Sequence, residues 1–119
     1  MRVLIVDDSR TARMMLKRVL PPSLMGDVHE AAGGDEAIRR VTTEKIDLMF
    51  LDLTMPDVDG YQVLKALQDG GNTPPTIVVS ADVQPLAQQR VRQLGAMAFV
   101  KKSLSQNDLT SVLTGAGLL

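Results

Sequence analysis

DLMFLDLTMPDVDG, residues 47–60, contains an apolar run, Leu48 to Leu51, that stops at a carboxylate, Asp52. Four apolar residues in a row, without alternation, suit a strand covered on both faces, as in a parallel sheet. Met55-Pro56-Asp57 then signals a turn. An acid at the end of such a strand is costly if it is buried without a partner. It also comes too early to cap the helix expected from near Gly60.

Working outward, similar apolar runs occur at Val3 to Val6, Val28 to Ala32, Ile77 to Val79 and Ala98 to Val100. The first and the Ile77 run are continuous; the Val28 and Ala98 runs are weaker, as edge strands often are. Between them lie amphipathic stripes. Ala12, Met15, Leu16, Val19 and Leu20 predict a first helix, ended by Pro21-Pro22. Ala37, Ile38 and Val41 predict a second, after the Gly33-Gly34-Asp35 break. Val63, Leu64 and Leu67 predict a third, stopped by Gly70-Gly71. Ala87, Val91 and Leu94 predict a fourth, with Gly95 as its C-terminal cap. Leu109, Val112 and Leu113 predict the last, with Ser105 as N-cap. The chain thus alternates strand and helix five times, which implies an α/β fold with right-handed crossovers and helices on both faces. No repeat, low-complexity tract or linker breaks the pattern. The expectation is one domain over residues 1–119, with no attached output module.

Composition narrows the function. The 119 residues are 45% hydrophobic and 23% charged, with formal net charge −1, so no general attraction to nucleic acid or anionic membrane is expected. There is no cysteine and only one histidine, His29, which argues against a disulfide framework or a thiolate- or histidine-built metal site. With no signal-peptide pattern or bilayer-spanning run, the cytoplasm is the expected location.

In open α/β sheets, ligands bind beyond the carboxyl ends of the strands. Strand one ends in Asp7-Asp8, strand three in Asp52 with Thr54 just beyond, strand four in Ser80-Ala81, and strand five in Lys101-Lys102. Each has an ordinary reading alone. Asp8 or Ser9 can cap the first helix, Ser80 can bond its own loop, and Lys102 can be a solvated charge. Together they are more specific. Clustered carboxylates raise one another's pKa unless a cation joins them, and an all-oxygen set selects a hard ion such as Mg2+. A lysine and a hydroxyl opposite would hold phosphoryl oxygens. The chemistry implied is an aspartyl phosphate on Asp52, formed by in-line positioning and charge neutralisation.

The motifs LIVDDS, LDLTMPDVDG, IVVSAD and GAMAFVKK, in that order along essentially the whole chain, resemble the receiver domains of bacterial two-component response regulators, most closely the stand-alone chemotaxis type. The resemblance implies a flavodoxin-like (βα)5 three-layer sandwich with a five-stranded parallel sheet in the order 2-1-3-4-5. It makes Asp52 the phosphoacceptor, charged from a phosphohistidine on a sensor histidine kinase or phosphotransfer protein. Asp8 would ligate magnesium directly and Asp7 through water, with Asp52 and the Thr54 backbone carbonyl completing the protein's share. Ser80 and Lys102 would grip the phosphoryl group, and Phe99 would be the switch aromatic. Lys102 is chosen over Lys101 because the family's lysine stands three residues after that aromatic. The switch would be read by a downstream target or phosphatase on the face of helix four, strand five and helix five, where Gln88, Gln89, Arg92 and Lys101 lie. Thr54 and Asp82 would flank the approach of water and tune phosphoryl lifetime.

Two residues depart from the family pattern. Ser103 stands where a proline with a cis peptide bond is usual, which leaves the Lys102–Ser103 bond open between cis and trans. Phe99 stands where chemotaxis receivers often carry tyrosine. Met14, Met15, Met49 and Met97 are expected to fill core gaps, and Met55 to form part of the site's apolar wall. A haloacid dehalogenase-type phosphohydrolase also uses an aspartyl phosphate, but it needs a second aspartate where this chain has Thr54. A nucleotide-binding reading fails because no glycine-rich loop follows strand one. The alternative that stands is a degenerate receiver, an interaction module independent of phosphorylation.

Overall fold

A computed structural model describes residues 1–119. Five strands, β1 (Val3–Val6), β2 (Val28–Ala31), β3 (Leu48–Leu51), β4 (Thr76–Ser80) and β5 (Ala98–Lys101), alternate with five helices. The helices are α1 (Arg10–Val19), α2 (Gly34–Thr43), α3 (Gly60–Asp69), α4 (Pro85–Gln93) and α5 (Gln106–Gly115). All strand pairs are parallel, and the order is β2-β1-β3-β4-β5. This is the flavodoxin-like sandwich, with the two weaker apolar runs at its edges. No helix is long and apolar enough to cross a membrane.

The continuous apolar strands are buried on both faces because the sheet separates two cores. Leu4, Val6, Met49, Leu51 and Val78 project to one side, against Ala37 and Val41 of α2, Val63, Leu64 and Leu67 of α3, and Val91 of α4. Val3, Ile5, Leu48, Phe50, Ile77 and Val79 project to the other, against Leu16 of α1 and Leu109 and Leu113 of α5. The period-2 alternation of a strand is therefore present, but both faces are apolar.

Helix starts follow capping chemistry. The side chains of Ser9, Asp59 and Ser105 accept backbone N–H bonds from Ala12, Gln62 and Asp108. Asp59 and Ser105 form full capping boxes, with Gln62 and Asp108 reaching back to the cap nitrogens. Gly60 lies where α3 crosses the end of β3. A Cβ there would collide with the Asp52 carbonyl oxygen and come within 2.8 Å of the Leu53 Cα.

Three features differ from the sequence reading or go beyond it. A single 3-10 turn, Pro22–Leu24, follows α1 and buries Leu24. The methionines divide: Met49 and Met55 are buried, whereas Met14, Met15 and Met97 are 44–50% exposed. Core filling is thus wrong for those three, because the first two extend past the buried edge of the α1 stripe and Met97 precedes β5. Finally, every peptide bond is trans, and Ser103 adopts φ 71, so its loop turns in the left-handed region.

Candidate functional site

Register brings the site together. Val6 pairs with Leu51, so the next residues, Asp7 and Asp52, emerge side by side at the carboxyl end of the sheet. Their backbones continue the ladder, with Asp52 N–H on the Val6 carbonyl (2.9 Å) and Asp7 N–H on the Ala31 carbonyl (3.1 Å). Across the sheet, Ser80 pairs with Lys101, and the Lys102 N–H donates to the Ser80 carbonyl at 2.9 Å. Lys102 therefore projects over the same rim, whereas Lys101 is exposed.

Asp52 and Asp7 are only 3% and 6% exposed. The Lys102 ammonium lies 2.9 Å from Asp7 Oδ2 and 3.2 Å from Asp52 Oδ1. The exposed Asp8 completes an acid trio in which one carboxylate oxygen from each residue lies within 4.8 Å of the others. Three acids against one lysine leave an excess of negative charge. Burial and the Asp7 carboxylate push the Asp52 carboxyl above its ordinary range, with Lys102 and the Thr54 backbone offsetting only part of the effect. Burial works against the Lys102 charge, yet its hydrogen bond to Asp7 and the Asp52 carboxylate outweigh that and hold its pKa above normal. Both shifts reflect that excess of negative charge, which a further cation would offset. An all-oxygen donor set at this spacing fits a hard divalent ion such as magnesium better than zinc or copper.

The remaining predicted residues sit around this cluster. Thr54 is exposed at the start of the β3–α3 loop. Ser80 is buried, and its hydroxyl accepts the Asp82 N–H at 3.0 Å; the hydroxyl serves its own loop and is not bonded to the Lys102 or Asp52 side chain. Phe99 is half-buried and packs against the core on the α2–α3–α4 side. On α4, Gln89 and Arg92 are exposed and Gln88 is half-buried. Met55 joins the buried core. Between α1 and the β5–α5 loop, an apolar cavity of about 210 Å³ reaches up to Asp7, Asp52 and Lys102, with Ser103 and Leu104 in its wall.

One charged group bearing on the site escapes the sequence reading. Arg13, on α1, donates through Nη1 to the Asp7 carbonyl at 2.6 Å and through Nε to Glu30 Oε1 at 2.9 Å. Burial raises Glu30, but hydrogen bonds from Arg13 and Lys17 outweigh it and keep the carboxyl below its usual range. The available signal was position: Arg13 lies one turn after the Ser9 cap, beside the apolar stripe.

The chain matches the family model of the response regulator receiver domain over residues 3–114. The two-component response regulator ORR41 of Oryza sativa subsp. japonica is 33% identical over 115 residues, covering 94% of this chain and 91% of that protein. The sensor protein EvgS of Escherichia coli O157:H7 is 32% identical over 113 residues, but the chain spans only 9% of its length. Among solved structures, the Vibrio cholerae chemotaxis protein CheY4 superposes with a TM-score of 0.84 at 26% identity, over 97% of both chains. The receiver domain of the histidine kinase CKI1 from Arabidopsis thaliana, complexed with Mg2+ and BeF3−, has a TM-score of 0.81 at 30% identity, over 98% of this chain and 89% of that one.

Proposed function

The chain belongs to the response regulator receiver domains, the signalling modules of two-component systems, and on that premise we propose that it is phosphorylated on Asp52. The observation that carries this reading is a buried carboxylate, Asp52, flanked by Asp7 and capped by the Lys102 ammonium at the carboxyl end of the sheet. A carboxylate oxygen of Asp52 attacks the phosphorus of a phosphohistidine on a sensor histidine kinase or phosphotransfer protein. The new O–P bond forms in line as the P–N bond breaks, and the imidazole leaves with the bonding electrons and takes up a proton.

Asp7, Asp8, Asp52 and the Thr54 carbonyl would hold Mg2+. When bound, the ion supplies neutralisation of the phosphoryl oxygens' charge. Lys102 exchanges its carboxylate partners for a phosphoryl oxygen. Ser80, whose hydroxyl now serves the Asp82 N–H, turns to the same group and draws the β4–α4 loop with it. Phe99 then packs further inward. The altered face of α4, β5 and α5, with Gln88, Gln89, Arg92 and Lys101, is read by a downstream target protein or phosphatase in the cytoplasm. The Mg2+ and BeF3− bound by the CKI1 receiver support the reading, since beryllofluoride stands in for a phosphoryl group.

Incubation with magnesium and acetyl phosphate, followed by intact-mass measurement, tests the assignment. One phosphoryl group is expected on the wild type and none on Asp52→Asn. A wild type that stays unmodified would leave the degenerate receiver as the better description. Replacing Lys102 with alanine should preserve magnesium binding while uncoupling phosphorylation from changes at α4 and β5, read by backbone NMR shifts. The same effect from Lys101→Ala would overturn the Lys102 assignment.

A further inference from the structure

We propose that Arg13 is a positioning residue for the acid cluster, clamping the end of β1 through the Asp7 carbonyl so that the Asp7 and Asp8 carboxylates are held ready for a divalent cation. The proposal rests on the magnesium site described above and adds to it a residue that would not itself touch the ion.

Asp7 is the first residue beyond the β1 ladder, where a strand end would otherwise fray. Four contacts fix it. Its N–H donates to Ala31 on β2, and its Oδ1 accepts the Ser9 N–H at 2.9 Å, closing a tight turn into α1. Its Oδ2 meets Lys102. The fourth contact, at its carbonyl, comes from Arg13 Nη1 at 2.6 Å. Of these, the Lys102 contact is the one the proposed phosphoryl group would take away, so the bonds to Ala31, Ser9 and Arg13 must then hold Asp7.

Arginine suits the role. Its guanidinium presents several donors in a rigid fork, so one group can bridge a carbonyl on β1 and a carboxylate on β2. Glu30 is that carboxylate, and Lys17 reaches its second oxygen at 3.3 Å. The Arg13 side chain is only 13% exposed, unlike a solvated helix-face charge. The bridge therefore ties α1, β1 and β2 together directly beneath the acids. Groups that orient ligands without binding the metal commonly change metal affinity by about 10–100-fold when removed.

Arg13→Met separates three explanations through the sign of the effect on magnesium affinity, measured by NMR titration with Mg2+ alone. Positioning predicts binding weakened about tenfold or more. Simple electrostatics predicts the reverse, because a positive charge near a cation site has been removed. A purely structural role lowers the melting temperature and leaves the affinity of the folded protein unchanged. Unchanged or tighter binding overturns the proposal. If Arg13→Met does not fold, Arg13→Lys decides: it keeps the charge but loses the fork, and weaker binding at a near-native melting temperature is expected. An affinity equal to the wild type in that variant also overturns the clamp. Wild-type protein that binds no magnesium removes the metal-dependent function and this proposal together. Normal wild-type binding with an unaffected variant removes this proposal alone.

Discussion

At Asp52, burial and the Asp7 carboxylate both oppose ionisation, and Lys102 compensates only in part. For an acid whose folded-state pKa is raised, the folded protein keeps its proton to higher pH than the unfolded chain. Stability is then greatest below the unfolded value and falls as pH rises through the raised one. In chelator, Asp52→Asn should therefore melt at a higher temperature than wild type at neutral pH, and the difference should shrink as pH falls through the raised value toward the ordinary carboxyl value of about 4. A constant difference across that range would show that the charge is not its source. Gly60→Ala probes the backbone beside the same residue, where a methyl group has no space. It should cost about 1–3 kcal/mol or more in urea unfolding and slow phosphorylation, because the relief must displace the end of β3. Asp52 was legible in the sequence because an unalternating apolar run ends on it. Lys102 was legible through its spacing from Phe99. Arg13 was not, since a guanidinium on a helix flank reads as solvated and its partners lie 6 and 17 residues away in sequence.

At the scale of elements, the β5–α5 loop shows what a single substitution does to a connection. Ser103 in the left-handed region (φ 71) bears a Cβ penalty of about 1–2 kcal/mol that glycine avoids, against which glycine loses more chain entropy. Ser103→Gly should be neutral to stabilising by up to about 1 kcal/mol, whereas Ser103→Pro, with φ locked near −65°, should destabilise; chemical denaturation of the pair measures both. The loop's path was unreadable beforehand because residue identity there permitted two peptide geometries. Helix limits were far more legible: Ser105, Gly70 and Gly95 mark ends through local chemistry that acts within a turn. Met14 and Met15 were misread for the opposite reason. A stripe gives the direction of burial but not its width, and both residues lie where α1 meets solvent.

For the whole molecule, alternation of strand and helix gave the layers, while the order of strands needed the family resemblance, since periodicity carries no information on which strand neighbours which. The sheet so ordered gathers Asp7, Asp8 and Asp52 at one end, so folding would assemble the proposed cation site. Magnesium should thus stabilise the protein by mass action, by about 2.7 kcal/mol at a concentration 100 times its dissociation constant. Melts at increasing Mg2+ check this, and Asp8→Asn should flatten the response. The order also leaves β2 and β5 as the outer strands, each four residues long. β2 carries His29 and Glu30, engaged with Asp27 and with Arg13 and Lys17, and β5 closes on the exposed Lys101. Short borders studded with charge make poor templates for a neighbouring molecule's backbone. Strand-to-strand zipping of one copy onto the next is thereby disfavoured.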